Sequence, residues 1–356
     1  MIREERGNLL AADVDALVNT VNTVGVMGKG VALQFKQAFP DNYRAYERAC
    51  KLGEVRLGRM FVFDTGRLAG PRYIVNFPTK KHWRSQSKLA DIELGLEDLR
   101  NVIEERSIRS IAVPALGCGN GGLDWRDVYP MINEVLGSLV DVNVVLYPPQ
   151  PTPTAKTMPV GTTRARMTPG RAALIGLLDR YIGPGLGATP IEIQKLMYFL
   201  QAAGEPLRLN FVKAQYGPYA DNLNHVLQAI EGHYLRGYGD RSEPVLDAEP
   251  IELMPGASEQ AAQFLAEHPD TRGRFDRVAT LVKGFESPYG LELLASVHWV
   301  ATVDERGGAG DPKVVTRQVQ SWTSRKGRLF TERHIVLAWR RLRDEGWLEP
   351  GVGRPA

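Results

Sequence analysis

VNTVNTVGVMGKGVALQF, residues 18–35, joins an apolar run to a segment with helical periodicity through a glycine-rich loop. Two asparagines, Asn19 and Asn22, close the apolar run, and GVMGKG (25–30) follows. Glycine lets the backbone adopt positive φ and approach a ligand closely. The N-terminus of the helix beyond it offers unpaired N–H groups and a partial positive charge, which suit a pyrophosphate. The stretch therefore predicts a strand–loop–helix unit with a phosphate site.

A second glycine-rich segment, PALGCGNGGLDW (114–125), lies in the same setting between an apolar run and a helical pattern. It also predicts a phosphate cradle at the end of a strand. Neither segment is a P-loop, because GVMGKG has neither the spacing nor the Ser or Thr of that motif. GVMGKG also lacks the complete G-x-G-x-x-G of a dinucleotide fold. Two such loops after two strands favour a ligand crevice at one edge of a sheet.

Strand-like and helix-like runs alternate over the first 147 residues. The strand candidates are rich in Val, Ile and Phe and mostly continuous, which is typical of strands buried on both faces. The strand candidates are 16–20, 60–64, 73–77, 110–115 and 143–147, and the helix candidates are 30–39, 86–105 and 125–139. This alternation predicts an α/β layer fold with a largely parallel sheet.

The pattern changes after a proline-rich segment, PPQPTPTAKTMPVGTTRARMTP (148–169). Its prolines exclude a helix interior or a central strand, so it predicts an exposed linker. Beyond it strand signals are weak, and helical periodicity is found at 190–203, 219–231, 258–268, 272–283, 290–302 and 331–345. The sequence thus predicts a first domain (1–150), a linker (151–169) and a mainly α-helical second domain (170–356).

Composition sets further limits on function. The chain has 356 residues, of which 43% are hydrophobic, and a net charge of +3, which gives no global argument for nucleic acid. Two cysteines form no disulfide framework, and the N-terminus lacks the apolar core of a signal peptide. There is no apolar run of about 18 residues, and the six histidines are scattered without metal-ligand spacing. We therefore expect a cytoplasmic protein with no membrane span and no metal.

At the two glycine loops the sequence resembles the macrodomain family. GNLL (7–10), ALVNTVNTVGVMGKGVALQFK (16–36) and PALGCGNGGLDW (114–125) carry the resemblance, which extends over about residues 1–147. It implies a three-layer α/β/α sandwich with a central mixed sheet and with ADP-ribose bound at the strand ends as ligand or product, without a further cofactor.

Two motifs narrow the resemblance within that family. GKGVALQFK (28–36) and FPTKKHW (77–83) are similar to the branch that contains the terminal ADP-ribose protein glycohydrolase and the DarG antitoxins. The DarG resemblance implies hydrolysis of ADP-ribose from thymidine in single-stranded DNA, the modification that a DarT-like toxin makes.

The same resemblance assigns ligand-binding residues. Asn8, Leu9 and Leu10 are expected on the adenine side, and Asn22 is expected at the distal ribose. The other expected contacts are Asn19, Gly28, Lys29, Gly30 and Val31 from the first loop, and Gly117, Cys118, Gly119, Asn120, Gly121, Gly122 and Leu123 from the second. Because no general base can be assigned to Cys118, we expect it to be a small buried residue and not a nucleophile.

Lys80 matches the lysine that this branch uses in catalysis. An ordinary lysine has a pKa of about 10.4, so a nucleophilic role needs burial or a neighbouring cation to lower it. Neutral Lys80 can attack the anomeric carbon of the distal ribose, whereas charged Lys80 can stabilise the leaving base or orient water. The acidic residue that related protein glycohydrolases carry two positions after GCG is absent, since Asn120 and Gly121 stand there. That absence fits a nucleobase target better than a protein ester.

KLMY (195–198) and YGP (216–218) in the second half resemble the SocA-like, or Panacea, antitoxin domains. This implies a partner-binding domain, with the cognate DarT-like toxin as the expected partner. Four apolar residues of this region are predicted to be core, namely Leu196, Tyr198, Phe199 and Leu223.

Three other functions remain compatible with the sequence. One is an ADP-ribose reader without turnover, which would not need Lys80. Another is a hydrolase of protein-linked or free ADP-ribose esters. A transcriptional regulator is the third, because Arg333, Arg340, Arg341 and Arg343 fall on one predicted helix. A solvated helix face is the favoured interpretation of those arginines.

Overall fold

The computed structural model describes residues 1–67, 70–151, 153–181, 187–241, 247–304 and 310–348. These residues belong to two compact units. The first comprises Met1–Thr163 and a short segment that starts at Gly239. The second comprises Arg164–Tyr238 and the rest of the chain.

The first unit is built on a six-stranded mixed sheet. Its strands are β1 (Ile2–Glu4), β2 (Ala16–Asn22), β3 (Phe61–Asp64), β4 (Tyr73–Lys80), β5 (Ser110–Pro114) and β6 (Asn143–Tyr147). They lie in the order β1-β6-β5-β2-β4-β3, so the strand that leads into the first glycine loop is central. Every neighbouring pair is parallel except β3 and β4, which are antiparallel. The predicted largely parallel sheet is confirmed.

Helices cover both faces of this sheet. They are α1 (Gly30–Ala38), α2 (Pro40–Lys51), α3 (Leu89–Glu105) and α4 (Trp125–Leu136). The apolar residues of α3 and α4 share a core with Val75 and Val144, whereas α1 shares a core with Leu17 and Ile74. Because successive strand residues point to opposite faces, both sides of the sheet are buried. The predicted three-layer α/β/α sandwich is confirmed.

Some elements of the first unit differ from the sequence prediction. β1 was not predicted, and its pairing of Ile2 with Val144 adds it to the sheet edge. Helix α2 was also missed, because the segment is mostly polar. Helix α3 begins at Leu89 and not at residue 86, since the Ser87 N–H donates to the Gly121 carbonyl at 2.9 Å and so belongs to a loop.

The second unit is mainly helical, as predicted. Its helices are α5 (Pro169–Tyr181), α6 (Pro190–Ala202), α7 (Leu223–Ile230), α8 (Ala257–Ala266), α9 (Pro269–Val282), α10 (Pro288–Thr302), α11 (Pro312–Trp322), α12 (Ser324–Leu329) and α13 (Glu332–Asp344). Two short antiparallel pairs accompany them, β7 (Phe211–Ala214) with β8 (Gly217–Ala220) and β9 (Leu235–Arg236) with β10 (Glu252–Leu253).

The β7–β8 hairpin shortens the helix that was predicted over 219–231. Gly217 has a φ of +90°, a value that occurs in turns and not in helices. The chain therefore turns into β8 at this residue. The four predicted core residues are buried, since Leu196, Phe199 and Leu223 are 0% exposed and Tyr198 is 4% exposed.

The described part of the proline-rich segment is not wholly exposed. Met158 is buried, the Gly161 N–H donates to the Gln37 carbonyl at 2.8 Å, and Asn8 Nδ2 donates to the Thr157 carbonyl at 3.4 Å. These bonds hold much of the segment against the first unit. Among the described residues, none of the helices has the length and apolar character that a transmembrane span requires.

Candidate functional site

Three strand ends lie at one edge of the central sheet. Because β2, β4 and β5 are parallel, their carboxyl ends lie at the same edge. β2 ends at Asn22 and β4 ends at Lys80, and these two residues are paired across a register shift after Val21. The loops that follow the strands are the first glycine loop (23–29), the lysine loop (81–88) and the second glycine loop (115–124).

Asn22 shapes the first glycine loop. Its Oδ1 accepts hydrogen bonds from the N–H groups of Val24 at 3.0 Å and Val26 at 3.3 Å, and its Nδ2 donates to the Val26 carbonyl at 2.6 Å. The buried hydroxyl of Tyr46 donates to the Asn22 carbonyl at 2.5 Å. Gly25 has a φ of +80°, which only glycine adopts readily. The side chain of Asn22 thus holds the loop, and its contact with a ribose stays a prediction.

The first glycine loop leads into helix α1 at Gly30. Lys29 is the N-cap residue, is exposed, and makes no side-chain capping hydrogen bond within the described structure. The Gly30 N–H donates to the Asp240 carbonyl at 2.9 Å. The partial positive charge of this helix end suits an anion, which would be bound by the amides that follow Gly30, beginning with Val31.

The second glycine loop is closed against Ser87. Gly117 has a φ of +71°, and a Cβ there would lie 2.8 Å from Leu123 Cδ1 and 3.1 Å from Ser87 Cβ. A Cβ at Gly121 would overlap the Gly117 carbonyl oxygen and Ser87 Oγ. Both glycines are therefore required by packing. The exposed residues of the loop are Gly119, Asn120, Gly122 and Asp124, the last of which caps helix α4.

Lys80 connects the lysine loop to the second glycine loop. Its Nζ donates to the Asn120 carbonyl at 2.7 Å, and partial burial lowers the pKa of its ammonium. The carbonyl of the next residue, Lys81, accepts from the N–H of Thr23 at 3.2 Å and from its hydroxyl at 2.9 Å. The predicted catalytic lysine is thus placed between the two predicted glycine loops.

Asn19 lies in the interior and not at the surface of the site. It is 0% exposed, and its Nδ2 donates to Asn76 Oδ1 at 3.0 Å. Asn76 Nδ2 in turn donates to Asn42 Oδ1 at 2.7 Å and to the Phe61 carbonyl at 3.1 Å. This buried amide network supports the floor on which the first glycine loop rests, since Asn19 Nδ2 is also 3.8 Å from Met27 Sδ. The structure therefore gives Asn19 a supporting position.

The predicted adenine-side residues form a 3₁₀ turn. Asn8 caps it, because its Oδ1 accepts from the Leu10 N–H at 3.0 Å. Leu9 and Leu10 are largely buried in the core that α1 shares with Leu17.

Comparison with known proteins supports the family assignment. A family model described as the Macro domain matches residues 18–132. A DNA ADP-ribosyl glycohydrolase of Thermus aquaticus is 51% identical over 350 residues, which are 98% of this chain and 95% of that protein. The chain belongs to the DNA ADP-ribosyl glycohydrolase family. The predicted resemblance is thereby confirmed, and the chain is an enzyme of this class.

Two further relatives match shorter parts of this family member. The solved macrodomain of Mycobacterium tuberculosis DarG is 61% identical, and the match covers 42% of this chain and 99% of that chain with a TM-score of 0.42. A DNA ADP-ribosyl transferase–DNA ADP-ribosyl glycohydrolase fusion protein of Thermosipho africanus is 36% identical over 158 residues, which are 40% of each chain.

Cys118 is poorly suited to nucleophilic chemistry in this glycohydrolase. Its thiol is half-buried, and burial together with Asp124 and Asp127 raises its pKa to about 11. Asp124 caps helix α4, since its side chain accepts from the Arg126 N–H at 2.9 Å. Neither Cys118 nor Asp124 supplies the acidic group that is missing after GCG.

Sequence reasoning missed three residues that fix the site of this glycohydrolase. Ser87 closes the second glycine loop, Thr23 anchors the lysine loop, and Tyr46 holds Asn22. All three act on residues distant in the sequence. No local sequence pattern marked these three residues, and Ser87 lay inside the helix predicted over 86–105.

The second unit of this glycohydrolase contains a buried charge cluster, defined by Lys195, Glu292, Ser296 and Lys326. Each of these residues is at most 2% exposed. Lys326 Nζ lies 2.5 Å from Glu292 Oε1 and donates to Ser296 Oγ at 3.0 Å. Lys195 Nζ donates to the Pro218 carbonyl at 2.6 Å, which joins the KLMY helix to the YGP turn. The two motifs of the second half are thus bonded to each other.

Two of the four arginines on helix α13 have partners within the second unit. Arg341 donates to the carbonyls of Leu281, at 3.1 Å, and Thr280, and it pairs with Glu345 at 3.1 Å. Arg343 pairs with Asp344 at 2.6 Å. These contacts favour the interpretation of α13 as a structural helix with a solvated face over its interpretation as a helix that binds duplex DNA.

Proposed function

We propose that the protein hydrolyses the glycosyl bond between ADP-ribose and thymidine in single-stranded DNA and so reverses the modification made by a DarT-like toxin. The observation that carries the proposal is the position of Lys80 between the two glycine loops, bonded to Asn120 at 2.7 Å. The name of the Thermus aquaticus relative, which is 51% identical over nearly the whole chain, supports DNA as the target.

The ligand is oriented by the elements around Lys80. The pyrophosphate lies at the N-terminus of α1, where Gly28, Lys29 and Val31 surround it, and the adenosine extends toward Asn8. Three exposed residues of the second glycine loop, Gly119, Asn120 and Gly122, cover the phosphates from the other side. This arrangement leaves the distal ribose and its bond to the base beside Lys80.

The reaction breaks the bond between the anomeric carbon and the thymine ring nitrogen. The base leaves with the electron pair and takes a proton, and a water oxygen finally bonds to the anomeric carbon. Burial lowers the pKa of Lys80, so a larger fraction of it is neutral near neutral pH than for an ordinary lysine. Attack by the neutral amine, with water resolving the adduct, needs a shift in this direction, whereas a charged ammonium that stabilises the leaving base needs none.

The decisive experiment is release of ADP-ribose from a thymidine-modified oligonucleotide by the wild type and by Lys80→Ala. We expect turnover by the wild type, loss in the variant, and retained ADP-ribose binding by calorimetry. Turnover rising with pH through the lowered pKa supports the neutral amine, and turnover falling over the same range supports the charged one. A wild type that binds ADP-ribose without turnover would overturn the proposal in favour of a reader.

The second unit is proposed to bind and block the toxin. Its motifs resemble antitoxin domains, and the Thermosipho africanus relative joins a transferase and a glycohydrolase in one chain. The test uses the full-length Lys80→Ala protein, which lacks the hydrolytic route to protection. We expect it to suppress DNA modification by the toxin at equimolar concentration. Undiminished modification at micromolar concentrations of both proteins would contradict toxin binding.

A further inference from the structure

The lysine loop is held at both ends beside the site. Lys80 Nζ donates to the Asn120 carbonyl at 2.7 Å, and the Ser87 N–H donates to the Gly121 carbonyl at 2.9 Å. Thr23 anchors the same loop at Lys81. The residues between these bonds, His82 to Gln86, are all exposed. The loop therefore presents a fixed, solvent-facing surface that starts at the catalytic lysine.

Three consecutive planar side chains form a stack on this surface. The rings of His82 and Trp83 are stacked with centroids 5.3 Å apart and planes 29° apart, and the Arg84 guanidinium lies 4.4 Å from the centre of the Trp83 ring. The Arg84 N–H donates to His82 Nδ1 at 3.2 Å, which fixes the turn. Trp83 remains 46% exposed. This is an ordered aromatic surface and not a single stray apolar side chain.

The charge of the loop is entirely positive. Four cations, Lys80, Lys81, Arg84 and Lys88, occur before the first acid, Asp91, and the loop itself contains no carboxylate. Positive side chains beside an exposed aromatic ring are the combination that binds single-stranded nucleic acid, with cations on the phosphates and bases stacked on the ring. The protein as a whole carries a net charge of only +3, so this concentration is local.

We infer that His82, Trp83 and Arg84 form a stacking platform for a nucleobase next to the modified thymidine, with Lys81 contacting the DNA phosphate. The inference rests on the proposed function, because it extends the substrate from a modified base to the strand that carries it. Three residues span at most about 11 Å, so a base on the platform is a near neighbour of the base at Lys80. The platform adds affinity for the strand without touching the bond that breaks.

The test compares two substrates on full-length protein, a thymidine-modified oligonucleotide and ADP-ribosylated thymidine monophosphate. For Trp83→Ala we expect KM for the oligonucleotide to rise roughly tenfold, the size of one lost base–aromatic stack, while kcat is unchanged. Turnover of the mononucleotide, which has no flanking base, should be unaffected. Trp83→Phe should restore most of the affinity because it keeps a ring. Leu52→Ala, which removes an apolar side chain that is 66% exposed elsewhere, is the control.

A second measurement does not depend on hydrolysis. Fluorescence anisotropy of a labelled, unmodified thymidine oligonucleotide reports binding directly, and we expect Trp83→Ala to weaken it. Lys81→Gln should reduce the slope of log affinity against log salt by about 0.7, the value for one phosphate contact on a single strand. If the wild type binds this oligonucleotide through Trp83 but releases no ADP-ribose from modified DNA, the glycohydrolase proposal fails and the platform stands.

Two results would overturn the platform. Equal losses on the oligonucleotide and the mononucleotide would mean that Trp83 acts on the reaction or on folding. Unchanged oligonucleotide KM and anisotropy in Trp83→Ala would mean that no base stacks there.

Discussion

Each unit contains a lysine whose ammonium donates to a backbone carbonyl, and the two differ in exposure. Lys80 donates to Asn120 at 2.7 Å in the first unit, and Lys195 donates to Pro218 at 2.6 Å in the second. Burial lowers the pKa of both, and that of Lys195 falls to about 7 through burial and the charge of Lys326. Lys80 is only partly buried, whereas Lys195 is 1% exposed.

The difference shows that a perturbed lysine alone does not identify a catalytic site. Lys80 stands at the ends of parallel strands between two glycine loops, where a substrate can reach it. Lys195 is sealed among Glu292, Ser296 and Lys326 and joins a helix to a hairpin. The first arrangement is suited to chemistry and the second to holding the fold.

The largest expected effect comes from removing the shared carboxylate of the sealed cluster. Glu292→Ala leaves Lys326 and Arg325 without their partner, and we expect the free energy of unfolding of the second unit to fall by about 3–5 kcal/mol. Urea unfolding measures this. The exposed pair of Glu47 and Lys51 is the control, since Glu47→Ala should cost less than about 1 kcal/mol. Equal costs would show that the buried cluster is not structural.

The next effect is catalytic. If Lys80 acts at the reacting bond as proposed, Lys80→Ala should lower kcat by at least about 100-fold, while stability changes little. Single-turnover release of ADP-ribose checks the rate, and thermal unfolding checks stability. Lys51→Ala, at an exposed lysine of helix α2, should leave both unchanged. If the Lys80→Ala protein unfolded easily but still released ADP-ribose, Lys80 would be a structural lysine, which is the role assigned here to Lys195.

A smaller effect is expected at the loop that Lys80 contacts. Gly121→Ala places a Cβ against Ser87 Oγ and the Gly117 carbonyl, and overpacking of this kind costs about 1–3 kcal/mol. We expect weaker ADP-ribose binding by calorimetry, by roughly tenfold. Gly273→Ala in helix α9 of the second unit is the matched control, because a Cβ there meets no described atom within 4 Å and the residue is not part of the proposed ligand site. Equal affinities for the two variants would show that the loop adapts freely.

The smallest effect is the pH dependence of stability from Lys195. Its folded pKa, about 7, lies below the unfolded value near 10.5, so above pH 7 the unfolded chain holds more protons. Stability should therefore rise with pH between these values, by at most about 1.4 kcal/mol per pH unit. Urea unfolding near pH 8 and pH 9 should show a steeper rise for the wild type than for Lys195→Met. Identical slopes would mean that Lys195 stays charged in the fold.

The sequence predicted the five longer strands of the first unit because their apolar runs are continuous. β6 was predicted with its observed bounds, 143–147, and β4 continues three residues beyond its predicted end at 77. β1 escaped prediction because IRE contains one apolar residue and is stabilised by its pairing with β6. The β7–β8 hairpin was missed since strands of four residues carry too little periodicity to oppose a helical pattern.

The residues of the candidate site could be predicted where one continuous sequence motif contains them. The two glycine loops each follow a strand, so their motifs predicted them, whereas Lys80, the last residue of β4, was predicted only through the family resemblance. The amide network of Asn19, Asn42 and Asn76 joins three distant segments, and only the Asn within the apolar strand YIVNF gave a sign of it. Ser87 was assigned to a helix because nothing in the sequence shows that its N–H bonds to Gly121.

The bonds from Lys80 to Asn120 and from Ser87 to Gly121 also bear on the thermodynamics of recognition. Loops joined in this way have already lost their conformational freedom before a ligand arrives, so association spends little free energy on ordering them. An enzyme that must find a rare modified base among long stretches of unmodified DNA benefits from such rigidity. A site whose loops are already fixed binds the adduct that fits it and does not rearrange to bind other nucleotides. The conformational entropy of these loops is lost once, when the chain folds.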